Sequence, residues 1–92
     1  MTKFNKKFKA VLFSADWDFS SHYTVPMFEK TCIANKIKYS VIDVDTRKGA
    51  DMSVKYLVKN VPTLLVLGDE GKEVARFKGR MCFEELEEWV IQ

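Results

Sequence analysis

Nowhere does this chain hold a Cys-x-x-Cys pair: its two cysteines, Cys32 and Cys82, lie in opposite halves of the sequence. That excludes a vicinal dithiol and the paired-ligand spacing of a zinc site. Two isolated thiols fit a reducing compartment, so a cytoplasmic location is expected. Histidine is scarcer still, with His22 alone. Asp16 and Asp18 stand near it, but oxygen-rich loops of this kind are common; His22 is read as a solvent-facing residue of a first helical turn, and no metal or cofactor is expected. Long apolar runs are missing too. The run before Asp16 is shorter than a signal peptide's core, lacks a small-residue cleavage pattern and falls far below the length of a membrane span. Nor does one sign of charge dominate, since the formal net charge is +2 with acids and bases interspersed. Neither a nucleic-acid nor a membrane partner is expected. Only Lys3, Lys6, Lys7 and Lys9 are locally basic, and they read as a solvated edge that keeps the first strand from pairing with neighbours.

What is present is organised around the stretch from Val11 to Thr31. The apolar run Ala10-Val11-Leu12-Phe13 suits a buried strand, and Ala15 to His22 reads as an exposed turn. A helix follows, in which Val25, Phe28, Cys32 and Ile33 are expected on one apolar face. The polar residues of the turn therefore gather at a helix N-terminus, where the first amides lack intrahelical partners and the macrodipole favours negative charge. Asp18 and Ser20 are candidates for capping those amides. Trp17, just after a strand end, is expected at the surface. Cys32, on the apolar face, is expected to be a buried and inert thiol, with Cys82 the more accessible one.

Nearly half of the 92 residues are apolar, enough for one core and one domain over 1–92. The helix is expected to end near Asn35-Lys36. Tyr39 to Asp45 is rich in strand formers, Thr46 to Gly49 is a polar break, and Ala50 to Val58 allows two helical turns with Met52, Tyr56 and Leu57 inward. Thr63-Leu64-Leu65-Val66-Leu67 is an almost continuous apolar run, as expected of a central strand covered on both faces. Gly68 to Gly71 supplies turn residues before a strand over Glu73 to Phe77. Phe83 to Ile91 is amphipathic, with Phe83, Leu86, Trp89 and Val90 opposite a row of glutamates. The order is βαβ-α-ββα, and the right-handed crossover rule makes the first two strands parallel.

Trp17 ahead of Asp18-Phe19-Ser20-Ser21, Pro26 inside the helix, Val61-Pro62-Thr63 and Gly79 together resemble a thioredoxin whose Trp-Cys-Gly-Pro-Cys motif has been rewritten. The resemblance runs from about Phe8 to Ile91. It implies an α/β thioredoxin-like fold: a minimal βαβ-α-ββα core with a four-stranded mixed sheet and helices on both faces. The residues before Phe8 are too few for the additional strand and helix that thioredoxins usually carry. Pro62 takes the place of the family's cis-proline, so a cis Val61-Pro62 bond is expected. Asp18 and Ser21 occupy the places of the two cysteines, and Leu12 that of the buried proton-shuttling acid. A thiol–disulfide oxidoreductase needs a nucleophilic thiolate at the helix N-terminus and a resolving thiol three residues on. A carboxylate and an unactivated hydroxyl supply neither.

Three functions follow. The first is a redox-inactive module that docks a protein or extended peptide in the family's substrate groove, here Trp17, Asp18, Phe19, Val61, Pro62, Gly79 and Met81, with the chain acting as a monomer. The second is an oxidoreductase serving cell redox homeostasis through Cys32 or Cys82, or one whose cysteines have been substituted. The third is a glutathione- or anion-binding module at the helix N-terminus, disfavoured because Asp18 repels an anion.

Overall fold

β1 (Lys9–Ser14), α1 (Phe19–Ala34), β2 (Tyr39–Asp43), α2 (Arg47–Lys55), β3 (Thr63–Leu67) and β4 (Glu73–Lys78) follow one another along the chain. They are taken from a computed structural model that describes residues 8–78. Gly79, Met81, Cys82 and the expected helix from Phe83 to Ile91 lie outside the described residues. The sheet has the order β2-β1-β3-β4. β1 and β2 run parallel, as the crossover through α1 requires, while β3 runs antiparallel to both β1 and β4. This is a thioredoxin fold.

α1 and α2 cover opposite faces of the sheet. On the α1 side, Phe28 and Cys32 pack with Ala10, Leu12, Ile37, Leu64 and Val66. On the α2 side, Met52 and Tyr56 pack against Val11, Phe13, Ile42, Leu65 and Leu67. β1 and β3 therefore present side chains to a core on each face, and all five residues of β3 are buried. A continuous apolar run is what such a position demands.

The structure corrects the sequence reading in several places. β1 is no edge strand: it is hydrogen-bonded on both sides, so Lys9 shields nothing from pairing. Ile33 is exposed, not part of the buried stripe of α1, which consists of Ser21, Thr24, Phe28, Thr31 and Cys32. The stripe follows helical spacing but includes the hydroxyl side chains of Ser21, Thr24 and Thr31, which were not among the expected positions. β2 ends at Asp43, two residues early, because Asp43 opens a turn: its carboxylate accepts from the Asp45 N–H and its carbonyl from the Thr46 N–H.

α2 starts at Arg47, not Ala50. Thr46 caps it, its hydroxyl accepting from the Gly49 N–H at 2.9 Å and donating to the Asp43 carbonyl at 2.7 Å. The same helix ends early, and Leu57 is exposed with φ +56°. Leu57 N–H donates to Val54 O and Val58 N–H to Ser53 O, the paired bonds of a Schellman ending. α1 ends the same way, with Lys36 at φ +55° and Ile37 N–H donating to Cys32 O. Glycine is the usual residue at this left-handed position, and neither end carries one, so α2 gave no stop signal in the sequence.

Candidate functional site

Asp18 adopts an extended backbone and caps α1. Its Oδ2 accepts from both the backbone N–H and the hydroxyl of Ser21, each at 2.9 Å. Ser21 is buried, and its oxygen also accepts from the Ala15 N–H at 3.3 Å. The two side chains at the start of α1 are thus bonded to each other and to backbone, an arrangement that stabilises the helix by about 1 kcal/mol. The exposed His22 sits one residue on. Its Nε2 lies 2.6 Å from the Asp16 carbonyl and must donate there, so that nitrogen is not available as a base. Among the described residues no group of three or more His, Cys, Asp or Glu side chains is placed to hold a metal ion.

Trp17 is 69% exposed and Phe19 is 90% exposed, so the site's two aromatics stand at the surface. Beside Trp17 lies a cleft of about 250 Å³ lined by Trp17, Val44, Val58, Lys59, Asn60 and Val61. One wall is the segment between α2 and β3, which is held at three points. Arg76 donates to the carbonyls of Tyr56 and Leu57 while also pairing with Glu73 at 2.8 Å. The Tyr56 hydroxyl donates to Gly71 O at 2.9 Å, and the Thr63 hydroxyl to Asn60 O at 2.7 Å. The Val61-Pro62 peptide bond is cis.

Of the expected groove, the structure brings Trp17 and Val61 together across this cleft. Phe19 stands apart on the first turn of α1, Pro62 is buried, and Asp18 is taken up by its cap. Gly79 and Met81 fall outside the described residues. Val44, Val58, Lys59 and Asn60 were not singled out from sequence. Val58 to Asn60 directly precede Val61, which was the available signal. A second cleft of about 370 Å³ is lined by Ser14, Ala15, Asp16, Ser21, His22, Val25, Pro26, Val41 and Asp43. The sequence singled out Asp16, Ser21, His22 and Pro26 but not their meeting with Val41 and Asp43 of β2.

Cys32 is fully buried, and its burial, with a smaller contribution from the charge of Glu29, pushes the thiol up to about 12. A thiol so protonated and enclosed is a poor nucleophile. Leu12 is fully buried in the same cluster, so an apolar side chain fills the place where the family resemblance sets an acid. Cys32 is therefore expected to react slowly with a thiol reagent in the native state and rapidly once unfolded, read by mass spectrometry with and without denaturant. Because an unfolded cysteine titrates at about 8.5, the folded chain keeps a proton that the unfolded chain releases above that pH. Stability is expected to fall as pH rises from about 8.5 toward about 12, less steeply in Cys32→Ala. Rapid native labelling of Cys32 would show that the helix register is wrong.

A family model described as Thioredoxin matches residues 2–92. The chain belongs to the thioredoxin family. Among solved structures, Fasciola hepatica thioredoxin is 26% identical, with a TM-score of 0.76 over 89% of this chain and 79% of that one. Thioredoxin NaTrxh from Nicotiana alata is 29% identical, with a TM-score of 0.78 over 91% of this chain and 70% of that one. A mutant thioredoxin from Halobacterium salinarum is 25% identical, with a TM-score of 0.79 over 91% of this chain and 72% of that one. No curated protein sequence matches. Within the thioredoxin frame, the capped pair Asp18 and Ser21 stands where the resemblance puts the two cysteines. Among the described residues no helix is long and apolar enough to cross a membrane.

Proposed function

We propose that this member of the thioredoxin family works without thiol chemistry, docking a protein segment in extended form over the Trp17–Val61 cleft, in a reducing compartment. The observation that carries the reading is the Asp18–Ser21 cap. Its carboxylate and hydroxyl are bonded to each other at 2.9 Å, so the start of α1 holds no nucleophile, while the exposed aromatics beside it remain. A cleft that sets Val44, Val58 and Val61 beside a surface tryptophan, with Lys59 and Asn60 at its side, offers an anchor for one partner side chain, and aromatic anchors of this kind dominate binding energy. Backbone pairing at such a loop needs no cysteine. The anion-binding reading is weaker, because the Asp18 carboxylate already accepts from the Ser21 amide at the N-terminus of α1 and sets a negative charge there.

The test is backbone chemical-shift mapping with a captured partner. Perturbations are expected at Trp17, Phe19, Lys59, Asn60 and Val61. Trp17→Ala is expected to weaken binding by about 2 kcal/mol, roughly 30-fold, measured by titration calorimetry. Shifts confined to Glu84, Glu87 and Glu88 with Trp17 silent would overturn the cleft model.

A further inference from the structure

The cleft of about 370 Å³ has no part in the docking site at Trp17, and its floor is set by strand register. Ala10 and Leu12 of β1 face α1, as do Tyr39 and Val41 of β2, so Ser14 and Asp43, each two residues further on, turn their side chains to the same side. The two residues are partners in the parallel pairing. Val25, Pro26 and Val41 supply apolar wall, and Asp16 and His22 add to the polar lining.

That polar lining accepts hydrogen bonds and has little to donate. Asp43 spends Oδ1 on the Asp45 N–H and keeps its other oxygen, and among the described residues neither Asp43 nor Asp16 joins an ion pair. Ser14 is only 7% exposed, yet among the described residues its hydroxyl accepts from no donor. Its own proton reaches only the Ile42 carbonyl, at 3.5 Å, past the range of an ordinary hydroxyl hydrogen bond. A buried hydroxyl left in that state calls for a further partner, and this one faces the cleft. His22 donates through Nε2 to the Asp16 carbonyl, which leaves Nδ1 an acceptor in the neutral ring. Pro26 has no N–H, so the His22 carbonyl lacks the donor that a helix normally supplies. No lysine or arginine lines the cleft.

We propose that this cleft takes the guanidinium group of an arginine carried by the segment that docks at Trp17. The inference deepens the docking reading and rests on it for the source of the arginine. Asp16 and Trp17 are adjacent in the chain, as are Asp43 and Val44, and in each pair the first residue lines this cleft and the second the docking cleft. An extended segment advances about 3.3 Å per residue, so one that anchors at Trp17 reaches the neighbouring cleft within a few residues. The chemistry of the lining selects the group. Two carboxylates with no basic neighbour in the lining call for a cation, and acceptors on several sides call for one with many N–H groups. Guanidinium has five in a plane and is weakly hydrated, so its flat face can rest on Val25, Pro26 and Val41; a lysine ammonium is compact and strongly hydrated. A divalent cation lacks ligands, since among the described residues no three acidic, histidine or cysteine side chains are placed to hold one.

Titration of the chain with N-acetyl-arginine amide, followed by backbone chemical shifts, tests the site without any partner. Shifts are expected at Ser14, Asp16, His22 and Asp43, and the citrulline analogue, which keeps the shape and loses the charge, should bind at least about tenfold more weakly. Asp43→Asn keeps an acceptor for the Asp45 N–H, so the fold should hold while affinity falls about tenfold. Asp16→Asn, at an exposed carboxylate, should cost about threefold, and Trp17→Ala should leave this probe's affinity unchanged. A second series places a leucine two, three or four residues to either side of an arginine in a short peptide. At least one member should bind about tenfold or more tighter than the arginine probe, with the gain lost in Trp17→Ala. Citrulline or lysine probes that bind as tightly as arginine, or arginine shifts that survive Asp43→Asn unchanged, overturn the guanidinium site, and the docking reading then stands or falls on Trp17 alone. Arginine binding at the cleft with no gain from any peptide overturns the docked segment as its source and leaves the guanidinium site in place.

Discussion

An Asp18→Cys/Ser21→Cys variant is expected to gain measurable dithiol-dependent reduction of a protein disulfide, where the unaltered chain has none. The gain follows from position: a cysteine at 18 would stand at the N-terminus of a sixteen-residue helix, where the dipole and unpaired amides stabilise a thiolate. A second thiol at 21 would resolve the mixed disulfide. The activity should nonetheless stay about 10²-fold below that of an ordinary thioredoxin. Fully buried Leu12 cannot move a proton, and general acid–base assistance contributes at least that factor. Removing Asp18 also removes the carboxylate that accepts two bonds from Ser21, so the variant should lose roughly 1 kcal/mol of stability. An insulin-reduction assay and a urea titration measure the two effects. Turnover by the unaltered chain at an ordinary thioredoxin's rate would sink the redox-inactive reading, and full recovery in the variant would show that an acid at position 12 contributes little to the reduction.

Gly49→Ala should destabilise the chain by about 3 kcal/mol or more, a fall in melting temperature of roughly 12 °C or more, read by differential scanning calorimetry. Helix propensity alone gives the opposite sign, because alanine in a helix interior is favoured over glycine by about 1 kcal/mol. The decisive fact is a close approach. A Cβ on Gly49 would lie 1.8 Å from the Asp43 carbonyl oxygen and 2.9 Å from the Thr46 hydroxyl. Those are the atoms that end β2 and cap α2, so relief requires moving the strand end and the helix start together. Overpacking against backbone outweighs the propensity gain several-fold. An unchanged or raised melting temperature would mean that α2 shifts freely against β2.

The features the sequence determined are those written into residues adjacent in the chain or three or four apart. Thr63 to Leu67, apolar almost throughout, could only be a central strand, and all five are buried. Asp18 ahead of a helical pattern could satisfy amides that nothing else would, and Cys32 on the stripe with Phe28 had to be enclosed. Trp17 between a strand and a capped helix was left at the surface. Tertiary structure decided what depends on neighbours distant in the chain. Thr24 and Thr31 are buried and Ile33 exposed because the sheet meets α1 along a line that intrinsic hydrophobicity does not identify. Leu57 turns outward because the carbonyls at the end of α2 are satisfied by Arg76 of β4 and by a left-handed ending that no glycine announces. Lys9 lies in an inner strand only because β3 returns to pair beside β1. The cleft next to Trp17 is assembled from Val44, Val58, Lys59, Asn60 and Val61, which come from two separate connections. Their adjacency exists only once both connections reach the same end of the sheet, since spacing along a strand or helix encodes which way a side chain faces and not what it will meet.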